Sequence, residues 1–289
     1  MRAHPAPGSR EWNARSATPC PMELKPITDR EFAQFQRLIH DVAGISLSPA
    51  KKAMVCGRLA KRVRELGLDS YGEYLQRLAG RHAQDELQTT VDLLTTNETF
   101  FFREKKHFEF LARHVQAARR PGLIFRAWSA ACSSGEEPYS IAMVLADCLG
   151  GGPWEVVGSD ISRRVLARAQ SGCYAMERAA QIPAQSLRRY CLKGIGSKKD
   201  TFLIDRALRD RVRFLPINLN ATLGNIGPFD VVFLRNVMIY FDMATKQRVV
   251  ERVAETLRSG GIFIVSHSET LHGITEALEQ VVPSVYRKP

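Results

Sequence analysis

The residues best suited to chemistry lie in short polar runs that interrupt apolar segments. The run Ser133-Ser134-Gly135-Glu136-Glu137-Pro138 follows Leu123 to Ala131, whose apolar side chains read as a strand buried on both faces. It precedes a helical pattern from Tyr139 to Leu149. Acids in the first turn and a proline just inside it mark the helix start, so the unit is strand, sharp turn and helix. Such a turn at the carboxyl end of a parallel strand is where open α/β sheets take nucleotide-like ligands. Gly135 is the turn's one glycine, and the two carboxylates after it repel phosphate, which disfavours a dinucleotide. A cationic ligand such as the sulfonium and amino groups of S-adenosylmethionine is compatible with that charge. The same glutamates also fit a plainer role as acids facing the helix macrodipole.

Asp160 ends a second strand, Trp154 to Asp160, where an acid in a nucleotide-binding sheet accepts hydrogen bonds from ribose hydroxyls. It is equally placed to cap a helix over Ser162 to Ala169. Upstream, the run TTNETFFFRE from Thr95 to Glu104 interleaves Asn97, Thr99 and Arg103 with three phenylalanines that anchor the segment. An arginine held this way can grip a carboxylate in a bidentate fork. Further polar runs end later strands: Asn218-Leu219-Asn220 after Val212 to Ile217, Arg235 to Tyr240 after Asp230 to Leu234, and Ser266-His267-Ser268-Glu269 after Ile262 to Val265. His267 reads as structural. Cys20, Cys56, Cys132, Cys148, Cys173 and Cys191 show no paired spacing, which argues against zinc and against a disulfide framework, so no metal is expected and the compartment is the reducing cytoplasm.

The elements that position these runs follow from periodicity. Helices are expected from Asp29 to a stop at Gly44, from Ser48-Pro49 to Gly67, from Ser70 to Leu78 and from Ala83 to Leu94. On the second of these, Val55, Leu59, Val63 and Leu66 form an apolar stripe while Lys51, Arg58 and Arg62 share another face. A helix over Lys105 to Ala118 leads into the central strand. Residues 171–211 break the strand and helix alternation, with a turn at Gly194 and Gly196 and a short strand at Thr201 to Ile204, and read as an inserted antiparallel β-subdomain. Ala244 to Leu257 reads as a helix stopped by Ser259-Gly260-Gly261, and a strand near Val285-Tyr286 closes the sheet. The expected boundaries are a disordered leader over 1–22, a helical domain over 23–95 and an α/β domain over 96–289.

At 289 residues, with 45% hydrophobic and 25% charged side chains, the chain fits a soluble globular protein with one large domain and one small. No run of about 18 apolar residues is present, so no membrane insertion is expected. The net charge of +11 concentrates between Lys51 and Arg64 and again between Ser171 and Leu215. Such patches fit nucleic acid or an acidic protein surface. Stacking aromatics are nearly absent from the first patch, which favours protein.

Taken in order, TTNETFFFRE, SAACSSGEEPYSIA, SDI, INL, RNVMIYFD and SHSE resemble the bacterial chemotaxis receptor glutamate methyltransferases of the CheR type, over roughly Glu23 to Tyr286. The resemblance implies a class I S-adenosylmethionine-dependent methyltransferase: a Rossmann-like doubly wound sheet with a small N-terminal helical domain and an inserted antiparallel β-subdomain. It implies esterification of glutamate side chains on the cytoplasmic helices of chemoreceptors. The matching positions imply cofactor contacts from Asn97, Thr99, Arg103, Glu137, Asp160, Asn218, Leu219, Asn236 and Val237. A receptor C-terminal tail at the β-subdomain is a further candidate partner, by β-augmentation. The leader through Cys20 departs from the family pattern.

A glutamate carboxylate is ionised near pH 7, so its methylation needs no general base. Catalysis then rests on alignment and partial desolvation, for which Arg103 and Tyr240 are the candidate donors and Lys51, Arg58 and Arg62 the candidate docking cations. A nucleic-acid methyltransferase of the same fold would show an aromatic motif such as Pro-Pro-Tyr after the fourth strand, where this chain has Asn236-Val237-Met238. Nucleic acid is therefore not an expected partner. A non-catalytic cofactor sensor is disfavoured by the intact Arg103 and Tyr240.

Overall fold

The computed structural model describes residues 24–80, 83–118 and 122–289, and the leader expected over 1–22 lies outside them. Helix α1 (Asp29–Ala43) opens with a reciprocal cap: the Thr28 hydroxyl accepts the Glu31 N–H while the Glu31 carboxylate accepts the Thr28 N–H. It ends at Gly44, whose φ of 71° suits a residue without a Cβ. A 3-10 turn at Pro49–Lys51 leads into α2 (Lys52–Glu65), followed by α3 (Tyr71–Leu78) and α4 (Gln84–Leu94). Phe35, Ile39, Val55, Leu59, Tyr74 and Val91 from these helices form an apolar cluster of their own.

The remainder alternates strand and helix: α5 (Lys105–Ala118), β1 (Phe125–Ser129), α6 (Glu136–Leu149), β2 (Trp154–Asp160) and α7 (Arg163–Ser171). A small sheet follows, made of β3 (Cys173–Ala175), β4 (Cys191–Lys193) and β5 (Thr201–Ile204), with α8 (Ala184–Tyr190) between β3 and β4. Its order is β3-β5-β4 and both pairings are antiparallel. After α9 (Arg206–Arg209) come β6 (Val212–Pro216), β7 (Phe229–Phe233), α10 (Met243–Glu255), β8 (Leu257–Ile264), β9 (Glu279–Val282) and β10 (Val285–Arg287).

The main sheet runs β6-β2-β1-β7-β8-β10-β9, parallel from β6 through β8, with antiparallel β10 and β9 at one edge. Alternate residues of its central strands feed two cores. Ala127, Val156, Val231 and Ile262 pack on one face, and Trp128, Val157, Val232 and Phe263 on the other. Burial on both faces explains the continuous apolar runs of these strands. The chain builds outward from β1 to β2 and β6, then returns to lay β7 on the other side of β1. That reversal makes the carboxyl ends of β1 and β7 the place where such sheets open a crevice.

Two sequence expectations need correction, and one strand has no counterpart among them. Leu123 and Ile124 are 55% and 50% exposed and precede the strand, so the doubly buried run begins at Phe125. Ser259-Gly260-Gly261 lie within β8 instead of stopping the preceding helix, because the Gly260 N–H donates to the Lys288 carbonyl and the Lys288 N–H to the Gly261 carbonyl. Strand β9 is exposed along its whole length and has no apolar alternation that would mark it in the sequence.

Candidate active site

The carboxyl ends of β1, β2, β6 and β7 open into a cleft of about 420 Å³, within the range of small-molecule sites. One wall comes from the sheet: Ser133 and Asp160, then Asn218, Leu219, Asn236, Val237 and Tyr240. The facing wall comes from the α1–α2 connection, Ala43 to Lys51, and from the stretch after α4 that includes Asn97 and Thr99. The helical unit is fastened to the sheet by specific bonds. The Asn218 side-chain amide donates to the Val42 carbonyl at 2.6 Å, the Ser46 N–H to the Tyr240 carbonyl at 2.8 Å, and His40 Nε2 meets an Asp242 carboxylate oxygen at 2.7 Å. Gly44 permits the close approach, since a Cβ there would lie 2.7 Å from the Thr245 methyl.

Asp160 is 7% exposed, and its two oxygens accept the N–H groups of Ser133 and Ser162, each at 2.9 Å. Burial pushes its carboxyl above the ordinary carboxylate range, and the two amides oppose that. The capping alternative is excluded, because Ser162 caps α7 with its own hydroxyl. Asp160 therefore bridges the β1 and β2 turns and keeps lone pairs for ligand donors. Ser133 (φ 49°) donates its hydroxyl to the Asn97 carbonyl at 2.8 Å, which ties the turn to the linker. Gly135 (φ 96°) has no room for a side chain, as a Cβ would lie 2.8 Å from both Ala169 and the Tyr174 hydroxyl. This donor set fits S-adenosylmethionine: a buried carboxylate for hydroxyl donors, asparagine amides, and the apolar Ile161, Leu219 and Val237 for a flat ring.

Two residues expected at the cofactor lie off the cleft wall. Glu137 is held by the Ser129 hydroxyl at 2.7 Å and by the buried Arg235 guanidinium at 2.7 Å. Arg103 folds back, with its guanidinium 5.6 Å from the centroid of the Phe100 ring and one N–H on the Glu98 carbonyl at 3.1 Å. Tyr240 lines the cleft from the 3-10 turn Met238–Tyr240. Spacing alone does not single out Arg235, although it directly precedes Asn236. Its guanidinium also donates to the Arg103 carbonyl at 2.5 Å and pairs with Glu104 at 3.1 Å. Glu104 (φ 60°) and Asn236 (φ 57°) sit in the left-handed region on either side of this knot.

The basic face expected on α2 is largely engaged within the fold. Arg58 donates to the Leu94 and Thr95 carbonyls and to the Thr96 hydroxyl, capping the end of α4. Arg62 forks onto Glu86 at 2.9 and 2.6 Å. The cause is the polar side of α4, which faces this side of α2 and presents both a buried carboxylate and unpaired terminal carbonyls. Lys51 differs, being exposed and on the cleft lining.

His267 does not line the cleft; its ring lies 4.5 Å from that of His107, and Ser284 Oγ contacts both imidazoles. Glu104, His107 and His267 bring ligand-type atoms within 4.8 Å of one another. The Glu104 carboxylate is committed to Arg235 and to the His267 N–H, and burial beside Arg235 lowers the His107 pKa to about 3, keeping it neutral. The group is a hydrogen-bonded support beneath the linker.

Among proteins of known family, the description "CheR methyltransferase, SAM binding domain" matches residues 97–286, and "CheR methyltransferase, all-alpha domain" matches residues 30–95. A chemotaxis protein methyltransferase of Escherichia coli (strain K12) is 44% identical over 250 residues, 86% of each chain. That of Salmonella typhimurium is 41% identical over 263 residues, 90% of each chain. Chemotaxis protein methyltransferase 2 of Pseudomonas aeruginosa is 39% identical, covering 90% of this chain and 93% of its own. Family matches across both the helical unit and the sheet, with relatives that align along most of their length, show that the chain belongs to the CheR methyltransferase family and carries its S-adenosylmethionine-binding domain.

Proposed function

We propose that the chain transfers methyl groups from S-adenosylmethionine to glutamate side chains on the cytoplasmic helices of chemoreceptors, as a protein-glutamate O-methyltransferase (EC 2.1.1.80). The observation that carries this reading is the family match across both units together with the cleft between them, which has Lys51 on its lining as a cation for an acidic acceptor. A carboxylate acceptor is ionised near pH 7 and needs no base beside the reacting atom. The names of the relatives, chemotaxis protein methyltransferases, support a receptor as the acceptor.

When bound, S-adenosylmethionine supplies a methyl group on a positive sulfur; transfer to a carboxylate oxygen forms the O–C bond as the C–S pair returns to sulfur, leaving an uncharged ester and thioether. Asp160 binds the ribose hydroxyls in this reading, and Asn97, Thr99, Asn218 and Asn236 hold the rest of the cofactor. Leu219 and Val237 exclude water from its flat ring. Tyr240, on the cleft, donates to the incoming carboxylate, and Arg103 turns away from Phe100 to complete the alignment. Their donation favours orientation over tight ground-state binding, which would quench the nucleophile. Glu137 acts indirectly, by fixing Arg235 and with it the linker. Lys51 presents its charge at the cleft to the acidic receptor surface, while Arg58 and Arg62 contribute by holding α2 on α4. A receptor tail that adds a strand to the β3-β5-β4 sheet remains a candidate second contact.

The test is transfer of labelled methyl from S-adenosylmethionine with receptor cytoplasmic fragments and RNA offered in parallel. The reading predicts label on the receptor fragment alone, released as methanol by mild alkali. Label on RNA, or alkali-stable label on protein, overturns it.

A further inference from the structure

Each of the two glutamates that open α6 is paired with an arginine, and each of those arginines also holds a carbonyl of the linker between α4 and α5. Arg235 joins Glu137 to the Arg103 carbonyl from the end of β7. Arg178 makes the matching connection from the 3-10 turn Met176–Gln181, within the insertion that carries β3, β4 and β5. Its Nη1 donates to Glu136 Oε1 at 2.6 Å and to the Thr99 carbonyl at 3.0 Å. Glu136 is fully buried, its other oxygen accepts the Ser134 hydroxyl at 2.7 Å, and among the described residues Arg178 is its cationic partner. Burial raises the Glu136 carboxyl, with Arg178 acting against that rise.

The insertion grips the same two segments a second time. Tyr174, on β3, donates its hydroxyl to the Ser134 carbonyl at 2.8 Å, and its ring meets Phe101 edge-on at 5.0 Å. Phe202, on β5, packs on Phe101 from 5.8 Å. The insertion thus touches the turn after β1 and the linker after α4, the two segments that face each other across the cleft with Ser133 on one and Asn97 and Thr99 on the other. In the parallel sheet itself, the linker is reached from the opposite end by Arg235.

We propose that Arg178 is a positioning residue for cofactor binding: by joining the Thr99 carbonyl to Glu136 it sets the spacing of the two cleft walls, which makes the inserted β-subdomain a structural arm of the S-adenosylmethionine site. The proposal rests on this cleft being the cofactor site. Arg178 touches neither wall's ligand-facing side chains and acts through the backbone of one and the buried acid of the other. Removing it has two separable consequences. Glu136 is left as an unpaired buried charge, which destabilises the fold, and the Thr99 carbonyl loses its donor, which loosens the linker.

The experiment is calorimetric titration with S-adenosylhomocysteine, together with thermal unfolding, for the wild type, Arg178→Met, Arg178→Lys and the double variant Arg178→Met with Glu136→Gln. Arg178→Met is expected to weaken binding about tenfold, equivalent to about 1.4 kcal/mol, and to lower Tm. Arg178→Lys restores part of the affinity, since an ammonium can reach one partner but lacks the planar fork. The double variant removes the orphaned charge, so it recovers Tm while affinity stays low; it also supplies a folded protein should the single variant not fold. Recovery of both Tm and affinity in the double variant would reduce Arg178 to charge neutralisation and overturn the proposal. So would wild-type affinity in Arg178→Met. A wild type that binds no S-adenosylhomocysteine would instead bring down the reading of the cleft, and this proposal with it.

Discussion

Replacing Arg62 by alanine separates a docking cation from a structural one. The Arg62 guanidinium donates twice to Glu86, a residue only 8% exposed whose carboxylate otherwise receives the Tyr74 hydroxyl at 2.7 Å. Breaking a buried pair by removing one member costs about 3–5 kcal/mol, because the other charge stays buried. The Arg62 side chain is 30% exposed, so water screens part of the interaction and the expected loss is about 2–3 kcal/mol. The assay is urea unfolding followed by circular dichroism. Lys61→Ala serves as the contrast, since Lys61 is 86% exposed, 3.8 Å from Glu65, and belongs to the class of surface pairs with little effect. Arg62 holds the Glu86 carboxyl below its usual range, so the pair's contribution is present above the unfolded carboxylate pKa and fades as pH falls. The gap between wild type and Arg62→Ala should therefore hold from pH 7 to about pH 5 and narrow below that. Because α4 ends in the Leu94 to Thr96 wall of the cleft, cofactor affinity should drop as well. A loss under about 0.5 kcal/mol at pH 7, or a gap that does not narrow on acidification, would refute the buried-pair argument.

Asp160→Ala should weaken S-adenosylhomocysteine binding by about 1–3 kcal/mol in calorimetry, through lost charge-assisted hydrogen bonds. Since burial raises the Asp160 carboxyl, wild-type affinity should begin to decline on acidification at a higher pH than an ordinary carboxylate would impose, a trend that Asp160→Asn should lack; parallel profiles would contradict the ribose role. Arg103→Lys should lower kcat more than it raises receptor KM, and Tyr240→Phe should do so more mildly, with wild-type single-turnover rates in both refuting their alignment role. His107 has its pKa lowered from 6.5 to about 3, so below pH 6.5 the unfolded chain takes a proton that the folded chain refuses and stability falls with pH. His107→Gln should therefore lose on the order of 2 kcal/mol less than wild type between pH 7 and pH 5, read by urea unfolding; equal losses would show that His107 titrates normally.

Much of the fold is legible because each level of the sequence points the same way. Apolar runs without alternation mark strands buried on both faces, and Glu136-Glu137-Pro138 marks the start of α6. Most of the candidate cleft residues fall at strand ends for the same reason, as with Asp160 after β2 and Asn218 after β6. What the sequence does not display is the partner of each charge. Glu136 and Glu137 read equally as ligand-facing acids or helix-start acids, and their arginines lie 42 and 98 residues away. Arg62 reads as a displayed cation because Glu86, which neutralises it, is 24 residues off on another helix. Strand β9 is invisible because its side chains are exposed and its pairing is entirely through the backbone. Folding-back of Arg103 onto Phe100 is likewise a matter of local packing that spacing alone does not encode.

The most direct test of the glutamate methyltransferase reading is to incubate the chain with deuteromethyl S-adenosylmethionine and receptor cytoplasmic fragments, then map the product by mass spectrometry. The account predicts a deuteromethyl group on glutamate side chains of the receptor helices, lost on mild alkaline treatment, and about five- to 150-fold less product when Asp160→Ala replaces the wild type at limiting cofactor. A deuteromethyl group on lysine, arginine or asparagine, or cofactor turnover with an unlabelled receptor, would contradict it.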